Sequence, residues 1–234
     1  MKPAAFLGII PARGGSKGVP RKNVRCLAGQ PLIHYTLQAA GASRALARYV
    51  VSTEDEEIAA IARAQGCPVV LRPAHLAADD APMVPVMVHA LEECRRNGEG
   101  YDYAVLLQPT TPLRTAQDID ACAEMAAASG ADAVVSVCKV PGHYHPDWQF
   151  IIRRERLELH NGAPIERIKP RRQALSETYT RNGAVYVVRT ALLLDRRVLF
   201  GPQTLAYVMP ERRSVNIDSE TDFAFAEHLL SAKT

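Results

Sequence analysis

An α/β fold, a mostly parallel sheet with helices on both faces, is predicted by three features of the chain. Short apolar runs alternate with segments of helical periodicity from about residue 5 to residue 140. The first run, Ala5 to Ile10, reads as a buried strand and empties into a loop holding three glycines and four cations. At 234 residues and 47% apolar composition, the chain can bury one large core.

The elements follow in order. Pro31 to Ala42 carries Leu32, Ile33, Tyr35, Leu37 and Ala40 near helical spacing, with Pro31 tolerated in the first turn. Tyr49 to Ser52 reads as a short buried strand, Glu54 to Gln65 as an alanine-rich helix stopped by Gly66, and Val69 to Leu71 as the next strand. After a loop rich in Pro, Ala and Asp (Arg72 to Pro85), Val86 to Arg96 reads as a helix. Tyr103 to Gln108 is then a strand stopped by Pro109-Thr110-Thr111-Pro112. Thr115 is placed to cap a helix from Ala116 to Ser129, with Asp118 favourable in its first turn and Gly130 at its end. Asp132 to Val140 follows as a strand. The rhythm breaks from Pro141 to Thr180, a stretch of His, Pro, Trp and Arg with short apolar pieces, too long and too patterned for a simple connection. Strand character returns at Ala184 to Arg189, Thr204 to Met209 and Ser214 to Asp218, and Ser219 can cap a last helix, Glu220 to Leu230. The chain therefore reads as a single domain, residues 1–234, with residues 141–180 as an insertion.

Composition excludes several functions. Net charge is only +3, and the paired cations Arg95-Arg96, Arg153-Arg154, Arg196-Arg197 and Arg212-Arg213 are scattered among 25 acids, mostly as solvated faces. A nucleic-acid binder would gather its cations on one element with aromatics between them. Five cysteines at wide spacing, with no CxxC or Cys/His cluster, read as reduced thiols of a cytoplasmic protein. The longest apolar stretch, Ala4 to Ala12, is too short to cross a bilayer. His143 and His145 have no further ligand near them in sequence and read as exposed loop histidines rather than a metal site, and no GxSxG turn supports a serine nucleophile.

The loop after the first strand carries the chemistry. Its composition, from Pro11-Ala12-Arg13-Gly14-Gly15-Ser16-Lys17-Gly18 to Lys22-Asn23, suits a bound polyphosphate. Glycines let backbone N–H groups approach anionic oxygens, and Arg13, Lys17 and Lys22 supply charge. Two familiar phosphate loops are excluded by spacing: Lys17 is followed by Gly18 rather than Ser or Thr, and Arg13 stands where the first glycine of GxGxxG belongs. In open parallel sheets, ligands sit beyond the carboxyl ends of the strands. The glycine loop, Arg72, Gln108 and the turn from Pro109 to Arg114 all follow expected strands and can converge there.

The stretch Ile10 to Asn23 resembles the signature loop of the sugar-activating cytidylyltransferases, most closely the acylneuraminate (CMP-nonulosonate synthetase) family. Further matches follow in the same order: Arg72-Pro73 with Leu76-Ala77-Ala78-Asp79, Leu107-Gln108-Pro109-Thr110-Thr111-Pro112-Leu113-Arg114, Asn182-Gly183-Ala184-Val185-Tyr186, and Ile217-Asp218 with Asp222-Phe223. The resemblance implies a Rossmann-like sheet of the nucleotide-diphospho-sugar transferase type. It implies a reaction in which the anomeric hydroxyl of an acidic 2-keto sugar attacks the α-phosphorus of CTP and expels pyrophosphate. Such transfers need charge neutralisation and in-line positioning more than covalent help from the protein.

Carried over residue by residue, the resemblance makes Arg13, Lys17, Lys22 and Asp218 the catalytic set. The nucleotide would be held by Ala12 to Lys17, Lys22, Asn23, Arg72 and Ala81, and the acceptor sugar by Asn23, Gln108, Arg172 and Tyr186. Mg2+ would sit on Asp218 and on Asn216, which stands where relatives often have a second aspartate. Two further departures are Met83, where close relatives place a serine against the base, and Asp147-Trp148, where relatives that use sialic acid carry a lysine after the His-Pro pair. The insertion would pair with a second subunit in a homodimer and lend Arg172 to the sugar carboxylate. The residues also fit plainer roles: Arg72 a surface arginine flanking a strand, Gln108 a turn glutamine, Asp218 a helix-flanking acid, Asp222 a dipole partner. Rival readings are a cytidylyltransferase for 3-deoxy-octulosonate, an aminated derivative or a phosphonate, or a nucleotide-binding module without turnover.

Overall fold

In a computed structural model describing residues 3–232 apart from Asn97, a seven-stranded sheet forms the centre of the molecule. The strands are β1 (Phe6–Pro11), β4 (Leu46–Thr53), β5 (Val69–Leu71), β6 (Tyr103–Leu106), β7 (Ala133–Lys139), β10 (Tyr179–Arg189) and β11 (Thr204–Val208), in the order β11-β7-β10-β6-β1-β4-β5. All neighbours run parallel except β10, which is antiparallel to both β6 and β7. Two minor ribbons, β2 (Cys26–Leu27) with β3 (Gln30–Pro31) and β8 (Phe150–Arg153) with β9 (Arg156–Leu159), lie outside it.

Period-two alternation along the strands sends side chains into two apolar layers. On one face Ile10, Val51, Val105, Val134, Val185 and Val187 pack with α1 (Leu32–Ala42), α2 (Glu56–Ala64) and α4 (Ala116–Ser129). On the other, Leu7, Ile9, Val50, Leu106, Tyr186 and Val188 pack with α3 (Met83–Arg96) and the turn Leu192–Arg196. A third, smaller cluster joins Val19, Leu27 and Leu32 to Ile217, Phe223 and Ala226, which seats the glycine loop against α5 (Glu220–Ser231).

Local signals placed most boundaries. Thr115 and Ser219 open α4 and α5 in full capping boxes, reciprocated by Asp118 and Asp222, so Asp222 is a capping residue rather than only a dipole partner. Gly130 closes α4 in the left-handed conformation.

Several expectations are corrected. Glu54 precedes α2, whose N-cap is Asp55. α3 starts at Met83 because Pro85 fits a first turn, where its missing N–H breaks no bond. Ser214 to Asp218 is no strand: it is an irregular segment after the helical turn Glu211–Arg213, tied to the site by the Ile217 N–H donating to the Thr110 carbonyl at 2.8 Å.

Most of residues 141–180 forms the β8–β9 hairpin and short single-turn helices, but β10 already begins at Tyr179, inside the expected insertion. His145 is buried there rather than exposed. Its Nε2 contacts the Ser176 carbonyl at 2.9 Å while its Nδ1 accepts from the Asp147 N–H. All five cysteines are free thiols, four of them buried. No helix among the described residues is long and apolar enough to cross a membrane.

Candidate active site

A cleft of about 260 Å³ opens at the carboxyl ends of β1, β4, β5 and β6, on either side of the position where the strand order reverses. Its lining includes Arg13, Gly15, Ser16, Lys22 and Asn23 from the loop after β1, and Arg72 after β5. Ala81 and Met83 come from the approach to α3, and Gln108 and Thr110 from the loop after β6.

The glycine loop is shaped by groups far away in sequence. The Gly14 N–H donates to Glu54 Oε1 at 2.7 Å, and a Cβ at Gly14 would overlap the Asp55 carboxylate. Arg21, the fourth cation of the loop, is held by Asp55 and Glu57 and so anchors the loop to the start of α2. Asn23 donates from Nδ2 to the Arg13 carbonyl at 2.9 Å, leaving Oδ1 as its free end. The N–H groups of Gly15, Ser16 and Lys17 donate to no protein acceptor among the described residues, so they remain for an anion.

Each cation of the cleft faces a carboxylate. Arg13 and Lys17 each bind one oxygen of Asp79, at 2.7 and 2.8 Å, and these partners hold its carboxyl below the ordinary range, Lys17 foremost. Lys22 donates from Nζ to the Ile217 carbonyl at 2.5 Å and lies 3.5 Å from Asp218. A Cβ at Gly18 would overlap the Asp218 carbonyl, so the close seating of residues 217–218 on the loop requires glycine there.

Arg72 is almost fully buried and donates from Nε to Glu54 Oε2 at 3.0 Å. Burial lowers its pKa, opposed by the same Glu54. Arg72 lines the cleft together with Ala81 and Met83, and its planar guanidinium is a donor set that suits the carbonyl and ring-nitrogen acceptors of a pyrimidine.

The loop after β6 is braced from behind by Arg114. This fully buried guanidinium donates to the carbonyls of Gln108 and Ala184 and to the hydroxyls of Thr111 and Thr36. The Gln108 carboxamide stands against Gly183, whose φ of +79° and lack of Cβ admit it. Asn216 lies nearby and presents Nδ2 to Asp218 Oδ2 at 2.6 Å.

The structure thus gathers Arg13, Gly15, Ser16, Lys22, Asn23, Arg72, Ala81 and Gln108 around one cleft, with Gly14, Lys17, Asn216 and Asp218 at its margin. Three expected site residues lie elsewhere. Ala12 is fully buried and its N–H is taken by the Ser52 carbonyl at 3.0 Å. Tyr186 points to the α3 side of the sheet, because β10 alternates, and packs edge to face on Phe200. Arg172 lies in the insertion, folded over Gly142, outside the cleft of its own chain.

Sequence reasoning missed Glu54 and the role of Asp79. Glu54 carries the one available signal, its position at the end of an expected strand.

The sequence profile of the cytidylyltransferase family matches residues 7–227. The post-translational flagellin modification protein B of Campylobacter coli is 32% identical over 97% of this chain and 96% of its own. The CMP-N,N'-diacetyllegionaminic acid synthase of Legionella pneumophila is 31% identical over 96% of each chain. An N-acylneuraminate cytidylyltransferase of Escherichia coli is 33% identical over 94% of this chain, which spans about half (51%) of that protein's length. Among solved structures, a CMP:2-keto-3-deoxy-manno-octonic acid synthetase complexed with CTP superposes with a TM-score of 0.73 over 99% of this chain and 100% of its own, at 15% identity, a likeness of fold. With a glycine loop, a buried arginine fork and a braced glutamine meeting at the switch point, the chain belongs to the cytidylyltransferase family of CTP-dependent enzymes, in its CMP-nonulosonate synthetase branch.

Proposed function

We propose that the protein joins the anomeric hydroxyl of a nonulosonic acid, N-acetylneuraminate or a relative such as a legionaminic acid, to the CMP group of CTP, releasing pyrophosphate. The observation that carries this reading is one cleft that brings Arg13, Lys22 and the N–H groups of Gly15 and Ser16, which donate to no protein acceptor among the described residues, together with the buried Arg72. The name of the relative from Legionella pneumophila, a CMP-N,N'-diacetyllegionaminic acid synthase matched over nearly its whole length, supports an acidic sugar acceptor.

In this reading Arg13, Lys17 and Lys22 neutralise the phosphates, and the Gly15 to Lys17 N–H groups bind their oxygens. Arg72 reads the base, Met83 packs beside it, and Gln108 with the free Oδ1 of Asn23 orients the sugar hydroxyl for in-line attack.

Asp218 and Asn216 would hold Mg2+. Asp218 is 73% exposed at the cleft margin, and no cluster of three or more His, Cys, Asp or Glu that could hold a metal occurs among the described residues. An ion here must draw most ligands from nucleotide oxygens and water, which suits Mg2+. When bound, it would offset negative charge on the leaving phosphates.

The apolar side chains exposed on residues 141–180, Phe150, Ile152 and Leu157 among them, support pairing with a second copy in a cytoplasmic homodimer.

Pyrophosphate release from CTP, measured with a panel of nonulosonic acids, 3-deoxy-octulosonate and a phosphonate, tests the reading. Turnover is expected with a nonulosonic acid, abolished by a chelator and restored by Mg2+. Turnover with 3-deoxy-octulosonate alone would replace the acceptor, and none with any acceptor would leave a binding module.

A further inference from the structure

Among the carboxylates paired with Arg13, Lys17, Lys22 and Arg72, each has a second role, with one exception. Glu54 accepts the Gly14 N–H and sits at the end of β4. Asp218 accepts from the Asn216 amide. The Asp79 carboxylate accepts no hydrogen bond from any other group among the described residues: its two oxygens are taken by Arg13 and Lys17 and nothing else. Asp79 also stands on an irregular turn, between the short helical turn Ala74–Leu76 and the start of α3, where backbone ties are few. A compact anion bridging the guanidinium and the ammonium of a phosphate-binding loop has the negative charge and acceptor pattern of a phosphate group.

From this we infer that Asp79 is an internal competitor for the triphosphate and sets the affinity of the cleft for its nucleotide and its product. The inference rests on the reading of the cleft as a CTP site. Without ligand, Asp79 fills the seat between Arg13 and Lys17, which keeps two long cationic side chains ordered and offsets part of their charge. A triphosphate, with more charge and more acceptor oxygens, displaces it. The turn that carries Asp79 also carries Ala81, so the exchange is felt on the base side of the cleft. After transfer the carboxylate returns and competes with departing pyrophosphate. Binding is weakened by the strength of the contacts that must be broken, and product release is eased by the same amount.

Both contacts are partly exposed, each of a kind that is modest in strength. Removing the charge should therefore tighten binding by roughly three- to tenfold. Asp79→Asn keeps size and removes the charge, and the neighbouring exposed Asp80→Asn makes the same change of net charge without a contact in the cleft. Titration of CTP and of inorganic pyrophosphate into each protein, without acceptor sugar, is the test. The expected result is tighter CTP and pyrophosphate binding in Asp79→Asn alone, with stronger pyrophosphate inhibition of turnover. Unchanged or weaker binding in Asp79→Asn would overturn the inference and leave the CTP site standing, since a merely structural role predicts loosening. Equal tightening in Asp80→Asn would also overturn it, as an effect of overall charge. A wild-type protein that binds no CTP would overturn both the site and the inference.

Discussion

Lys22 illustrates how one side chain is prepared for charge it has yet to meet. Its ammonium is drawn to the Ile217 carbonyl and the Asp218 carboxylate, across a separation of 195 residues, and is only 12% exposed. A flexible four-carbon stem is thereby fixed before a nucleotide arrives, so its ordering cost falls on folding rather than on binding. Arg21, one residue earlier, is spent on Asp55 and Glu57, so two adjacent cations of the same loop have different duties. Lys22→Ala should lower kcat/KM by roughly a hundredfold or more, the scale of losing one preorganised donor. Arg21→Ala should act through the loop's stability and be milder in kcat. Normal turnover of CTP by Lys22→Ala in a pyrophosphate-release assay would remove the lysine from the reaction. The division of labour between these residues was not legible in sequence, where both were simply cations after glycines.

Elements held by their own capping residues were legible, and those held by distant partners were not. Thr115, Asp118 and Gly130 fix α4 within one segment, as Ser219 and Asp222 fix the start of α5, so sequence placed both. By contrast β10 is antiparallel because the chain re-enters the sheet after the insertion, and Glu54 meets Gly14 across 40 residues, relations that no local pattern encodes. Asp118 belongs to both kinds. Besides completing the cap, it pairs with Arg213, read from sequence as part of a solvated pair, and accepts from the Tyr207 hydroxyl at 3.2 Å. Burial alone would raise its pKa, but Arg213 and the Thr115 N–H and hydroxyl outweigh burial and hold it low. A depressed carboxylate stabilises the fold above its unfolded pKa, and that share is lost as pH falls below about 4 toward the folded value. Asp118→Asn should therefore cost about 3 kcal/mol at neutral pH, as expected for a buried pair losing one partner, and should flatten the loss of stability on the acid side. Urea denaturation at several pH values checks this, and a variant as stable as wild type at pH 7 would mean that the pair adds nothing.

At the scale of the whole molecule, the cleft is rich in donors for phosphate and base but short of a cation for an acidic sugar. Arg13 and Lys22 line the phosphate side with Lys17 at its margin, and Arg72 is committed to Glu54 and, in the proposed reading, to the base. Arg172 has the planar fork that matches a carboxylate, yet in its own chain it is folded over Gly142 in a separate hollow with Lys139 and His145. The insertion around it exposes apolar side chains, with Ile152 at 73%, a face better explained by a second copy than by water. In a twofold pairing through this face, whatever one Arg172 lends to the partner's cleft the other lends in return, because an isologous contact presents the same patch in both directions. If Arg172 serves the partner, Arg172→Ala should raise KM for the acidic sugar at least tenfold while CTP affinity changes little, since the lost contact lies on the acceptor side. Mixing Arg172→Ala with Lys22→Ala protomers then provides a test of geometry. A mixed dimer rebuilds one site from two intact contributions and spoils the other, so with sugar well below KM random exchange should recover roughly a quarter of wild-type activity from two preparations of low activity. The recovery should appear only at protomer concentrations that permit dimers. Mixed dimers verified by differential tagging that remain inactive would place the whole site within one chain, and an unchanged sugar KM in Arg172→Ala would take the arginine out of the acceptor pocket altogether.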